Sequence, residues 1–255
     1  MTSKSYNDNF YTDHSQMSIS SAEEIIPKVL DYIKPSSVID IGCGIGTWLL
    51  VWGKFGVNDI LGIDGDYIKR DKLLISNDKF IATNLEHGFE SSRKFDIVTC
   101  LEVAEHINES EAEMFVNSLC NLGDVILFSA AIPGQEGTLH VNEQYPNYWQ
   151  NLFWKNKFVP VDCLRKKIWS NEKVSTWYKQ NILFYVKEMQ LNKMEELKIE
   201  ADKTDVTFLN LVHPEYFNYK CNKVLFYEEI LRSPRRLFKH FFKSLLLKLG
   251  IREQI

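Results

Sequence analysis

The stretch VIDIGCGIGTWLL, residues 38–50, decides the fold. Val38, Ile39 and Ile41 form an apolar run interrupted by Asp40. The run breaks into Gly42, Gly44 and Gly46, and an apolar segment of helical character follows. This pattern predicts a strand, a tight turn and a helix start. Glycines in such a turn permit positive φ and close approach of a ligand, while the first turn of the helix offers free amide donors. A ligand site is expected here.

The flanks narrow the ligand. A phosphate-binding loop needs a Lys after the last Gly of a longer turn, and Gly46 is followed by Thr47 and Trp48 instead. A dinucleotide site needs a third Gly at a different spacing and is the second choice. Asp40 two places before the first Gly, Cys43 between the glycines and Asp64 at the end of the next predicted strand resemble motifs I and II of the class I S-adenosylmethionine-dependent methyltransferases. The resemblance covers about residues 20 to 190. It implies a Rossmann-like α/β fold: a seven-stranded, mostly parallel sheet with the last strand antiparallel beside the fifth.

The hydrophobic pattern places strands at 38–42, 59–64, 79–85, 95–101, 124–131, 158–163 and 181–187. Helices are expected at 47–55, 66–73, 109–121 and 145–156, with none between the sixth and seventh strands. Ser21 and Glu24 make a capping box that opens a helix ending at Lys34-Pro35. Residues 6–20, with Tyr6, Phe10, Tyr11 and Met17, read as an irregular aromatic segment. The domain organisation expected is 1–20 over the cofactor and acceptor site, 21–188 as the methyltransferase domain, and 189–255 as a helical extension.

The chain has 255 residues, 45% hydrophobic and 25% charged, the balance of an ordinary globular protein with a full core. Cysteines at 43, 100, 120, 163 and 221 form no C-x-x-C pair, and no apolar run reaches the length of a membrane span, so a cytoplasmic setting is expected. The net charge of −4 hides an asymmetry: residues 232–255 carry seven basic residues and one acidic, leaving −10 on the rest. Leu237, Phe238, Phe241, Phe242, Leu245 and Leu246 alternate there with lysines at helical spacing, and Gly250 suits the stop. A basic amphipathic helix of this kind fits peripheral contact with the inner membrane or self-association through 232–252. With the basic charge so local, nucleic acid is not expected as a partner.

In an open α/β sheet the ligand lies beyond the carboxyl ends of the strands. The resemblance then assigns the Gly42–Gly46 turn and Asp40 to the amino acid end of S-adenosylmethionine and Asp64 to its ribose hydroxyls. Asn84 and Leu85 fall at the adenine, where the family often has an acid. Leu101 would pack under the cofactor, and Trp48 would close the amino acid end.

Two polar clusters follow strands four and five. In LEVAEHI, Glu102, Glu105 and His106 share a face if the segment turns helically. In GQEGTLHVNEQYPNYW, His140, Asn142, Glu143 and Gln144 crowd one loop. The catalytic candidates are His106, His140, Glu105 and Glu143, with an imidazole as general base. GTLHVNEQYPNYWQNLF and WYKQNILFYV resemble bacterial methyltransferases of surface-glycan and small-molecule biosynthesis. The expected function is O-methylation of a sugar, sugar nucleotide or similar polar acceptor in polysaccharide biosynthesis.

Two alternatives are a non-catalytic cofactor-binding scaffold and a metal-dependent RNA 2′-O-methyltransferase. The latter is suggested because Glu102, Glu105, His106 and His140 resemble the E-x-x-E-H plus His set of small-RNA 3′-end methyltransferases. Ile107 stands where that family has a second His. A divalent metal is not expected.

Overall fold

Strands that are apolar along their whole length must be covered on both faces, and the helices of this chain do that. The computed structural model describes residues 8–248, with side chains from Ser15 onward except His240 and Leu247. Tyr6, Gly250 and Arg252, and the side chains of Phe10 and Tyr11, lie outside what is described. Compact units are Met1–Leu211 and Val212–Ile255.

In the first unit the order is α1 (Asp8–Leu30), β1 (Ser37–Ile41), α2 (Thr47–Lys54), β2 (Asp59–Asp64), β3 (Phe80–Ala82), β4 (Ile97–Leu101), α3 (Ala112–Leu122), β5 (Val125–Ser129), α4 (Pro146–Lys155), β6 (Phe158–Val161), α5 (Arg165–Ile168), α6 (Thr176–Asn181), β7 (Leu183–Lys187), α7 (Glu188–Leu191) and α8 (Glu195–Lys203). The sheet runs β3-β2-β1-β4-β5-β7-β6. Strands β1 to β5 are parallel, and β7 lies antiparallel between β5 and β6. This is the seven-stranded, mostly parallel Rossmann-like sheet that the resemblance implies. The order reverses at the β1–β4 pair, which opens a crevice beyond their carboxyl ends.

Strand alternation builds two cores. In β5, Val125 and Leu127 join Trp52, Ile97 and Phe184 on one side of the sheet. Ile126 and Phe128 join Phe115, Trp149 and Phe153 on the other. Each such buried side chain contributes about 1.5–3 kcal/mol, so the sheet is a rigid floor for the loops at its edge.

Several expectations are corrected. Residues 8–20 belong to α1, which ends at Leu30 rather than Lys34. Ser21 lies inside that helix and does not cap it: its hydroxyl donates to the Met17 carbonyl at 2.8 Å and accepts from the Ser175 amide at 3.0 Å. The segment predicted as helix at 66–73 is reduced to a 3-10 turn at Arg70–Lys72.

The β6–β7 connection, expected without a helix, contains α5 and α6. Arg165, buried in α5, holds this connection in place. It pairs in fork geometry with Asp162 at 3.0 and 2.6 Å and donates to the carbonyls of Gln180 and Leu209 at 3.0 and 2.7 Å. A buried guanidinium with four hydrogen bonds fixes geometry, and here it fixes α6. The first unit also extends past residue 188 to Leu211, because Leu191, Leu197 and Leu209 are buried in its cores.

The second unit contains α9 (Pro214–Arg232) and α10 (Pro234–Lys248). Among the described residues no helix is long and apolar enough to cross a membrane.

Candidate active site

The glycine turn leaves β1 through three left-handed residues, Gly42, Gly44 and Gly46, at φ 73°, 55° and 88°. Two of them show why. A Cβ at Gly42 would meet the Val103 side chain at 2.3 Å, so the loop after β4 packs directly on the turn. A Cβ at Gly44 would meet nothing within 4 Å, so there the turn faces open space where a ligand can reach the backbone. Gly46 then starts α2.

Two carboxylates flank this turn. Parallel register sets Asp40 of β1 beside Thr99 of β4, whose hydroxyl donates to it at 2.5 Å. Burial raises the Asp40 carboxyl to about 7; the Thr99 bond works against this and the neighbouring Asp64 charge adds to it. Asp64, at the end of β2, accepts from the Gly44 and Gly65 amides at 2.7 and 2.6 Å and from the Tyr67 hydroxyl at 2.6 Å. Burial raises its carboxyl too, against those three bonds. Two buried acids that pair with no basic side chain among the described residues fit a ligand that carries an ammonium and a vicinal diol. The residues present therefore suit S-adenosylmethionine: Asp40 and the turn could hold its amino acid end, and Asp64 its ribose.

The remaining cofactor candidates separate. Cys43 is buried with its thiol toward the sheet, where a Cβ on Gly62 would meet it at 2.6 Å, so only its backbone is offered to a ligand. Trp48 is buried as well; its indole N–H donates to the Tyr178 hydroxyl at 3.3 Å. Leu101 is buried in the same core. Asn84 is exposed, and its side-chain oxygen accepts from the Glu86 amide at 3.0 Å. With buried Leu85 it borders a cavity of about 380 Å³ that also touches Gly65 and Tyr67, next to Asp64.

The catalytic candidates converge although they are far apart in sequence. Glu105 and His106 sit in a 3-10 turn after β4, and the Glu105 carbonyl accepts from the Val141 and Asn142 amides at 2.9 and 3.0 Å, which draws the second loop across. The rings of His106 and His140 meet edge to face at 4.9 Å between centroids. His140 Nδ1 lies 2.8 Å from Glu143, whose carboxylate also accepts from the Gly134 and Glu136 amides at 2.6 and 2.8 Å. A Cβ at Gly137 would meet the His140 ring at 2.1 Å, so a glycine is required there for the ring to be seated. Burial, then the neighbouring His140, lowers His106 to about 4, which leaves its imidazole neutral near pH 7. Burial and the Glu102 charge hold Glu105 well above the usual carboxylate range.

Glu102 does not join them, contrary to the helical spacing of the sequence. Its φ of 56° breaks the turn, and its carboxylate accepts from the side-chain amides of Gln135 and Asn181 at 2.8 and 3.1 Å. Gln180 extends this network to Gln135 at 3.2 Å. Gln135, Gln180 and Asn181 had no role in the sequence reading, nor did Tyr67. The one available signal was the polar pair Gln180-Asn181 directly before an apolar strand.

A family model described as "Methyltransferase domain" matches residues 16–150. No curated protein matches the chain. Among solved structures, S-adenosylmethionine-bound CalS10, an amino pentose methyltransferase from Micromonospora echinaspora, matches at TM-score 0.55 and 11% identity, covering 71% of this chain and 98% of that one. Streptomyces venezuelae DesVI matches at 0.53 and 13%, covering 70% and 95%. Magnesium protoporphyrin IX methyltransferase from Synechocystis PCC 6803, with bound S-adenosylmethionine, matches at 0.47 and 19%, covering 69% and 80%. At these identities CalS10 and DesVI show likeness of fold. With the family model spanning more than half of the chain, the protein belongs to the methyltransferase-domain family and is an S-adenosylmethionine-dependent methyltransferase.

Proposed function

We propose that the protein methylates a hydroxyl of a polar small molecule, a sugar, sugar nucleotide or glycan intermediate, in polysaccharide biosynthesis. The observation that carries this reading is the meeting of His106, His140, Glu105 and Glu143 beside the loop that packs on the glycine turn. Bound S-adenosylmethionine supplies an activated methyl group on sulfur. The chain has to align an acceptor oxygen with it and manage the hydroxyl proton. Glu143 fixes the His140 ring, so the far nitrogen is available to an acceptor. A site this rich in hydrogen-bonding groups is suited to a ligand with several hydroxyls. The amino pentose named for CalS10 belongs to the same chemical class. In this reading α1 covers the cofactor side of the crevice.

The test is methyl transfer from labelled S-adenosylmethionine to a panel of nucleotide sugars and monosaccharides, with oligoribonucleotides and unmixed cofactor as comparators. Label in a sugar supports the reading. Label only in RNA favours the RNA alternative, and none in any acceptor favours the scaffold.

Cofactor binding should itself depend on pH through Asp40. A folded carboxyl raised to about 7 from the ordinary 3.8 favours the protonated form, so its contribution to stability is full below about pH 4 and lost as pH rises through 7. A cationic ligand needs the ionised form. Affinity is therefore expected to weaken as pH falls below 7, by up to about tenfold per unit. Calorimetry in buffers of different ionisation heat should show proton release on binding near pH 6; an Asp40→Asn protein should show none.

We infer further that α10 rests on anionic lipid, at the inner membrane of an otherwise cytoplasmic protein. Phe238 and Phe241 are 65% and 62% exposed, and Arg235, Arg236, Lys239 and Lys243 are exposed on the same helix. That combination suits an interfacial helix. Flotation with phosphatidylglycerol vesicles is expected for the full chain and not for a chain ending at residue 231. Equal flotation of the two, or a concentration-dependent dimer with no flotation, rejects the lipid assignment.

A further inference from the structure

We propose that Glu105, His106 and His140 hold a divalent first-row metal ion, of the zinc or cobalt kind, within the acceptor site. The inference rests on the acceptor-site reading above and has the far nitrogen of His140 reach the acceptor through an ion rather than directly.

One carboxylate oxygen of Glu105 and one ring nitrogen from each histidine lie within 4.8 Å of one another, the one such group of three among the described residues. Ligand-to-ligand distances of this order close on an ion with small side-chain movements. The free nitrogens are already selected. His106 Nδ1 faces the Leu139 carbonyl at 3.2 Å; a carbonyl only accepts, so Nδ1 carries the hydrogen and Nε2 keeps its lone pair. His140 Nδ1 faces Glu143 at 2.8 Å, with the same result. A carboxylate behind one histidine and a backbone carbonyl behind the other is the outer-shell arrangement that orients metal-bound imidazoles.

The third ligand carries an unpartnered oxygen. Glu105 is 1% exposed, its Oε2 has no hydrogen-bond partner, and its Oε1 stands 3.9 Å from His140 Nε2, beyond hydrogen-bond length. A buried carboxylate oxygen without a partner is rare and calls for a cation or a donor. Glu102 cannot serve, since two side-chain amides occupy it. The backbone supports the same geometry: the Glu105 carbonyl ties the two loops, and Gly137 leaves room for the His140 ring.

Two histidines and one glutamate leave coordination positions open, as in catalytic rather than structural zinc sites. An acceptor hydroxyl or a water would fill one of them. The ion would give the acceptor oxygen a fixed position and favour loss of its proton.

The experiment is calorimetric titration of Zn²⁺ into tag-free, chelator-treated full chain, with Co²⁺ absorption as a spectroscopic readout. One ion per chain is expected, with visible Co²⁺ bands. His140→Ala and Glu105→Gln should each weaken binding at least about 100-fold, and Glu143→Gln, which keeps a hydrogen bond to the ring, about 10-fold. If His140→Ala loses its far-ultraviolet circular dichroism, the two conservative variants decide. Absence of stoichiometric binding, or binding unchanged in the variants, overturns the inference.

The two readings fail separately. Loss of methyl transfer in His140→Ala, in a protein that binds no Zn²⁺, removes the ion and keeps the acceptor site. Stoichiometric Zn²⁺ with no polar acceptor methylated keeps the ion and removes the acceptor assignment.

Discussion

Replacing Asp64 by alanine is expected to lower S-adenosylmethionine affinity by about 100-fold or more while the protein stays folded. A hydrogen bond to a charged acceptor is worth about 1.5–3 kcal/mol, and two ribose hydroxyls on one carboxylate place the loss at about 3–6 kcal/mol. That corresponds to about 10²–10⁴ in Kd. Asp64 also receives the Gly44 and Gly65 amides, so the truncation loosens the glycine turn and adds to the effect. Asp64→Asn separates the two contributions, because its amide oxygen can still accept from one backbone N–H. Calorimetry on both variants, with thermal melts to confirm folding, makes the measurement. Wild-type affinity in Asp64→Ala would remove Asp64 from the cofactor site.

Turnover in His140→Ala is expected to fall by about 10²–10⁴-fold with cofactor affinity within twofold of wild type, the range associated with loss of a positioned proton-handling group. The selectivity follows from position. His140 stands on the loop after β5, against His106 and Glu143, whereas the proposed cofactor residues lie on β1, β2 and the glycine turn. Glu143→Gln keeps a hydrogen-bond acceptor for Nδ1 and should lose less than His140→Ala. Added imidazole should restore part of the lost rate by entering the space of the missing ring. A His140→Ala protein with full turnover would place the chemistry elsewhere.

These two residues also mark how far the sequence could be read. The place of Asp64 beside the glycine turn was legible because it is local: a strand, a turn and an acid about 20 residues on form one βαβ unit, and the register of β1 with β2 follows from that unit. The sheet was legible for the same reason, since apolar runs of strand length alternating with helices leave few arrangements. The β6–β7 connection was not. Its short helices α5 and α6 are held by Arg165 and by the Ser21 contact to Ser175, neither of which leaves a periodic trace. Residues 8–20 show no helical periodicity in their aromatic and polar residues, yet they extend the apolar helix that follows them.

The sequence by itself determined the strand–turn–helix at residues 38–50, the mostly parallel sheet, the acids at 40 and 64, and the two polar clusters beyond β4 and β5. Periodicity and turn chemistry act over a few residues, so they are written locally. Only the tertiary structure decided which members of those clusters meet. A left-handed backbone at Glu102 turns that carboxylate toward Gln135 and Asn181, while the Glu105 carbonyl, bonded to the amides of Val141 and Asn142, brings His140 onto His106. One backbone angle and two long-range hydrogen bonds set that division, and neither has a signature in residue spacing.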